Sequence, residues 1–226
     1  MSPVGDLKGM NDRTAPSALP QTRVRVARTG ALLCGAALLV AACGSDDGGD
    51  AALSGIVRDP APQVDLVSLP SLSEPGTDVE FRADEGEIQV VYFGFTNCPD
   101  VCPTTLADLT VALRMLEPEQ ADDVEVVMVG VDPARDNAVL DQYVKTFIPD
   151  AIAAGSDDTE LLDEAGEPFG ASWEVRTVED GDIEVDHSPF LYAVDDQGQL
   201  VLTWQFGASS EDVAADLSTL LDRGTA

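Results

Sequence analysis

Two nearly continuous apolar runs, IQVVYFGF at 88–95 and VEVVMVGV at 124–131, constrain this chain more than any other feature. A strand with one wet face alternates apolar and polar residues. These runs do not alternate, so each is expected to be a strand covered on both faces. Between them, residues 104–116 place Leu106, Leu109, Leu113 and Leu116 on one helical stripe, with Pro103 at the first helical position. Strand, helix and strand in this order predict a sheet with helices packed on it.

The flanking segments extend the pattern. Residues 64–69 and 78–81 read as a short hairpin-like pair, 137–148 and 160–165 as helices, and 174–178 with 183–185 as a β-hairpin. Two more strands follow at 190–194 and 200–206, split by the turn Asp195-Asp196-Gln197-Gly198. An amphipathic helix at 210–221, capped by Ser210, closes the chain. The expected fold is one α/β domain over 63–224. By analogy it is a thioredoxin-like three-layer α/β/α sandwich with a β-hairpin insertion before the histidine loop.

Residues 1–43 read as an N-terminal extension followed by an export signal. Arg23, Arg25 and Arg28 precede a short apolar stretch that ends in Val40-Ala41-Ala42-Cys43. That ending resembles the bacterial lipobox, which makes Cys43 the expected lipidation site. Residues 44–62, rich in Gly, Asp, Ala and Pro, read as a flexible tether. The expected location is therefore the cell membrane, lipid-anchored, with the folded part on the extracytoplasmic side.

The whole chain carries 12 Lys and Arg against 42 Asp and Glu, a formal charge of −30; from Cys43 onward the balance is 7 against 40. So acidic a surface argues against nucleic acid and against attraction to anionic lipid. Membrane contact is expected through the lipid alone.

With Cys34 in the signal and Cys43 at the lipid site, Cys98 and Cys102 are the cysteines left to the exported domain, and His187 is the single histidine of the chain. Each cysteine precedes a proline, so the segment reads as a turn ending where a helix starts, with Cys102 near the N-cap. The positive end of the helix is expected to lower a thiol pKa there. On a continuous helix the two Cβ atoms would stand about 5–6 Å apart, against roughly 3.8 Å for a relaxed disulfide. The spacing leans toward a metal clamp and leaves a redox couple or a structural disulfide open.

A soft metal on two thiolates needs a third ligand, and His187 in Val185-Asp186-His187-Ser188-Pro189 is the candidate, with Asp186 expected to orient the imidazole from behind. Two thiolates and an imidazole suit Cu(I) better than Mg, Ca or Mn, while zinc would want a fourth ligand. Asp132, Arg135 and Asp136 read as a loop ion pair and helix cap in preference to residues that shape the cleft, Asp100 as a turn residue, and Trp173 and Trp204 as packing.

FGFTNCPDVCPTTL at 93–106, VDPARDN at 131–137 and VDHSPFLYAVDDQG at 185–198 together resemble the Sco/SenC family of copper-binding thioredoxin-fold proteins. The resemblance implies a copper ion held by Cys98, Cys102 and His187. It implies delivery to the binuclear copper site of cytochrome c oxidase subunit II or another copper-acceptor protein, or reduction of the acceptor's thiols. Pro189 stands near the place of a family cis-proline, and Asn97 stands where many members have histidine. Three activities remain: a metallochaperone, a thiol–disulfide oxidoreductase with Cys98 and Cys102 as its catalytic pair, and a peroxide-reducing relative. Whether the chain is an enzyme stays open at this point.

Overall fold

The computed structural model describes residues 52–178 and 181–224. The expected signal, Cys43 and the start of the tether lie outside the described residues. Among those described, no helix is long and apolar enough to cross a membrane.

The two apolar runs form β4, Ile88–Gly94, and β5, Val124–Gly130, paired in parallel from Ile88 opposite Val124 to Gly94 opposite Gly130. All seven residues of β4 are buried, as its lack of alternation requires. The sheet has six strands in the order β1-β10-β9-β4-β5-β6. Here β1 is Ile56–Val57, β6 is Ile152–Ala154, β9 is Leu191–Val194 and β10 is Leu200–Trp204. β5 and β6 continue the parallel half, whereas β9, β10 and β1 are antiparallel to their neighbours.

Helix α1, Val101–Met115, joins β4 to β5 and buries Cys102, Leu106, Leu109 and Ala112. Helix α6, Ser210–Gly224, packs beside it. A short helix α2, Pro118–Asp122, precedes β5. The helix expected over 137–148 is shorter, α4 at Leu140–Lys145, and a separate short helix, α3 at Pro133–Asp136, precedes the expected start; the Asp136 carboxylate at its end turns inward to serve a neighbouring loop. Right-handed crossovers place α4 on the same face as α1, and the Thr110 hydroxyl of α1 donates to the Phe147 carbonyl just past α4 (3.3 Å). The opposite layer holds α5, Thr159–Gly166, a 3-10 turn at Glu167–Phe169, and the small pair β2, Leu69–Pro70, and β3, Asp78–Val79. Phe81, Phe93 and Phe169 meet edge-on or tilted at 5.2–6.4 Å to seal that layer. The three-layer thioredoxin-like arrangement expected from the sequence is present.

Two departures bear on the site. The expected tether over 44–62 does not reach residue 62, since β1 pairs with the edge of β10. Buried Asp216 of α6 draws the chain in by accepting from the Ser54 and Gly55 amides (2.8 and 2.9 Å) and from the Trp204 indole (2.8 Å). Composition alone marks Gly and Pro as loop formers and is blind to an acceptor 162 residues away. The inserted hairpin, β7 (Trp173–Thr177) with β8 (Ile183–His187), forms its own two-stranded sheet, and it ends on the histidine instead of preceding it. β6 was not legible in the sequence because three residues carry no period.

Asp216→Ala would leave three N–H donors without their shared acceptor. We expect a loss of about 3 kcal/mol in unfolding free energy by urea titration, whereas a change below about 0.5 kcal/mol would show that water replaces the carboxylate.

Candidate metal centre

The site begins where β4 runs out. Gly94 has no room for a side chain: a Cβ there would stand 2.7 Å from Tyr92 Cε1 and 3.2 Å from Cys102 Sγ. The chain then passes through Phe95-Thr96-Asn97 to Cys98. Asp136 fixes this turn from outside by accepting the Thr96 amide (2.9 Å) and the Thr96 hydroxyl (2.7 Å) on one oxygen. Its other oxygen accepts the Asp132 amide (3.3 Å). Asp132 and Arg135 form an adjacent ion pair. The expected loop ion pair is therefore present, but Asp132, at the N-cap of α3, makes no side-chain cap bond, so the expected helix cap is not.

Helix α1 starts at Val101, two residues before Pro103 and one before Cys102. Proline is tolerated this early because the first-turn amides have no intrahelical acceptors to lose. Asp100 at the N-cap makes no side-chain cap bond; it is exposed and accepts from the Thr104 hydroxyl (3.4 Å). The capping acceptor is the Cys98 sulfur, which takes the Cys102 amide at 3.2 Å. Asn97 is exposed. Both cysteines are free thiols, Cys98 half-buried and Cys102 fully buried.

The histidine arrives from the hairpin. Trp173 stacks on Phe93 (5.7 Å between centroids, 13° between planes) and is the register partner of His187 across β7 and β8. Gly166 leaves space for that indole, since a Cβ would lie 2.6 Å from its ring. Beyond the strand, the Ser188 amide donates to the Ser172 carbonyl (2.9 Å), closing the base of the hairpin. The His187 ring sits edge-on to Phe95 (5.5 Å) and Tyr92 (6.0 Å), with Nε2 3.5 Å from Cys102 Sγ. Nδ1 lies 3.2 Å from the Ser188 carbonyl oxygen. A carbonyl can only accept, so Nδ1 carries the proton and the Nε2 lone pair faces the sulfurs. The Cys98, Cys102 and His187 donor atoms all lie within 4.8 Å of one another.

Two expectations are corrected here. Burial pushes the Cys102 thiol up to about 12, against the expected lowering. The helix end favours the thiolate, but a sulfur removed from water at the core loses more by desolvation than the dipole returns. Asp186 does not touch the imidazole. Neighbours along a strand point to opposite faces, and its carboxylate meets Arg176 (2.6 Å) while the Ser188 carbonyl takes the role expected of it. Burial also lowers the His187 pKa, outweighing the Ser188 and Phe93 carbonyls and the Asp186 charge, which raise it. The ring is neutral and ready to ligate. Among the described residues the cis peptide is at Asp59-Pro60, not before Pro189. Gly94, Phe95, Tyr92 and the Ser188 carbonyl were not singled out from the sequence, where they read as strand core and an ordinary loop.

A family model described as SCO1/SenC matches residues 71–222. The chain belongs to the SCO1/SenC family. An SCO2-like protein of Rickettsia prowazekii is 32% identical over 139 residues, 59% of this chain and 66% of that protein, so the chain spans just under two thirds of that relative. Among solved structures, apo Sco1 from Thermus thermophilus is similar with a TM-score of 0.65 at 33% identity, over 75% of this chain and 97% of that one. ScoI of Bradyrhizobium japonicum with copper bound has a TM-score of 0.58 at 29% identity, over 67% of this chain and 95% of that one. The matched region contains all three donors of the cluster.

Two outcomes follow from this geometry. In a metal-free Cys98→Ser variant, thiolate ultraviolet absorption of Cys102 should rise only as pH climbs from 9.0 toward 12; a transition at or below neutral pH would contradict the desolvation argument. Gly94→Ala should push Tyr92 against the Cys102 sulfur, lowering unfolding free energy by about 1–3 kcal/mol. Wild-type thermal stability in that variant would mean the strand end shifts freely.

Proposed function

We propose that this protein is a copper-binding assembly factor that takes up one copper ion on Cys98, Cys102 and His187. It passes the ion to an acceptor, the binuclear copper site of cytochrome c oxidase subunit II. The observation that carries the reading is the convergence of two sulfurs and one neutral imidazole nitrogen from segments 85 residues apart, Cys102 and His187, with no carboxylate in the set. Two ligand bonds of roughly 2.3 Å span at most about 4.6 Å, so these donors need little movement to share one ion. Sulfur and imidazole select a soft cation over Mg or Ca. The copper-bound Bradyrhizobium relative supports the choice of copper. The copper is cargo: three donors and a half-buried Cys98 leave a side from which an incoming thiolate can displace the protein's ligands one at a time. Lipid attachment at Cys43 would hold this domain at the extracytoplasmic face of the membrane.

A second reading, a thiol–disulfide oxidoreductase that keeps the acceptor's cysteines reduced, is favoured by the two free thiols, one of them accessible. It requires Cys98 and Cys102 and has no use for His187.

Anaerobic copper titration of the reduced protein separates the two readings. One tightly held copper should bind, with release of at least one proton, because the Cys102 thiol is protonated at neutral pH and the imidazole is not. His187→Ala and Cys98→Ser should each weaken binding by at least about tenfold. Full affinity in His187→Ala would remove the three-donor site. Absence of copper uptake by the wild type, with readily cycled thiols, would leave the redox reading.

A further inference from the structure

The β7–β8 hairpin touches the body of the protein chiefly at its base, and its two faces differ in chemistry. Register pairs Trp173 with His187, Val175 with Val185 and Thr177 with Ile183. By strand alternation these six share one face. The other face carries Glu174, Arg176, Glu184 and Asp186, where the Arg176 guanidinium ties the three carboxylates together at 2.6–3.4 Å. The charged face is thus satisfied within itself. The apolar face is covered only at its inner end, where Trp173 stacks on Phe93 and Val185 packs on the core; farther out Val175 is 43% exposed and Ile183 40% exposed. Such a ribbon gains nothing from leaving this face in water.

That strip ends on the metal cluster. His187, the last residue of β8, is its innermost member, and an open cleft of about 480 Å³ lined by Trp173, His187, Ser188 and Phe190 lies at the same end. We propose that the apolar face of the hairpin is the docking surface for the copper-acceptor protein, an inference that rests on the copper-delivery reading. The occupant is a partner with an apolar patch rimmed by cationic side chains. Residues 173–187 carry six carboxylates against Arg176, a net charge of −5, so the ribbon that bears the strip is acidic. The same charge opposes a second copy of this chain, since two acidic ribbons would meet. A partner seated on Val175 and Ile183 has its own ligands led along the strip to His187, which couples recognition to the atom exchanged.

The test is copper transfer from the loaded full-length protein to the purified copper-site domain of cytochrome c oxidase subunit II, compared with transfer to a small-molecule Cu(I) chelator. The V175S/I183S double variant should keep copper stoichiometry and the ligand-to-metal absorption of the wild type. Because His187 is on the hairpin, that spectrum also reports that the hairpin is intact. Transfer to the protein acceptor should slow by about tenfold, transfer to the chelator should not change, and added salt should slow only the former. Equal transfer by wild type and variant, or no transfer by the wild type to this acceptor, overturns the docking proposal even where copper is bound. Wild-type dimers that the variant dissociates would overturn it by making the strip a self-interface. Failure to bind copper at all would instead remove the functional reading beneath it.

Discussion

The stacking of Trp173 on Phe93 is the contact on which the rest of the site depends. Phe93 belongs to the central strand, whose next residues lead into the cysteine turn, and Trp173 is the cross-strand partner of His187. One aromatic contact therefore ties the hairpin to the same strand that positions the sulfurs. Gly166 keeps the space for the indole, and Phe169 closes on Phe93 from the side. Aromatic pairs of this kind contribute about 0.5–1.5 kcal/mol beyond the area they bury. Here the geometric effect outweighs the energy, because a ring cannot slide without carrying the histidine with it.

Around this frame the protein keeps two of its donors, Cys102 and His187, largely out of water and neutral. Desolvation raises the Cys102 thiol and lowers the imidazole, so the metal-free site holds no charge on either group at neutral pH. The neighbouring carboxylates stay out of the donor set: Asp100 is exposed, Asp186 is held by Arg176, and buried Asp136 spends its carboxylate on the Thr96 loop. A soft cation entering such a site exchanges a thiol proton for itself and meets no hard oxygen ligand. The Cys98 sulfur, which caps α1 by accepting the Cys102 amide, is the donor in contact with both the helix end and the opening.

Much of the architecture was legible because it is periodic. The runs at 88–95 and 124–131 announced a covered sheet, and the leucine stripe announced α1. Errors fell where a long-range partner decides. Residues 54–58 read as tether because Gly and Pro favour loops, yet Asp216 and the edge of β10 hold them. The helix expected at 137–148 starts only at Leu140, because the chain before it closes a separate short turn, with the Val139 amide donating to the Asp136 carbonyl while the Asp136 carboxylate faces inward. Asp186 was adjacent to the histidine in sequence and, for that very reason, on the wrong face of the strand.

By itself the sequence determined the donor set. Two thiols bracketing a helix start, a single histidine and the surrounding motifs restrict the chemistry to soft-metal or redox work, because residue type fixes donor atom and softness. Only the tertiary structure decided which nitrogen of His187 faces the sulfurs, that Ser188 and not Asp186 holds the other, and that the Cys102 thiol is raised. Those properties depend on pleat direction and loss of water across 85 residues of chain, and neither orientation nor desolvation is a local property of the residues concerned.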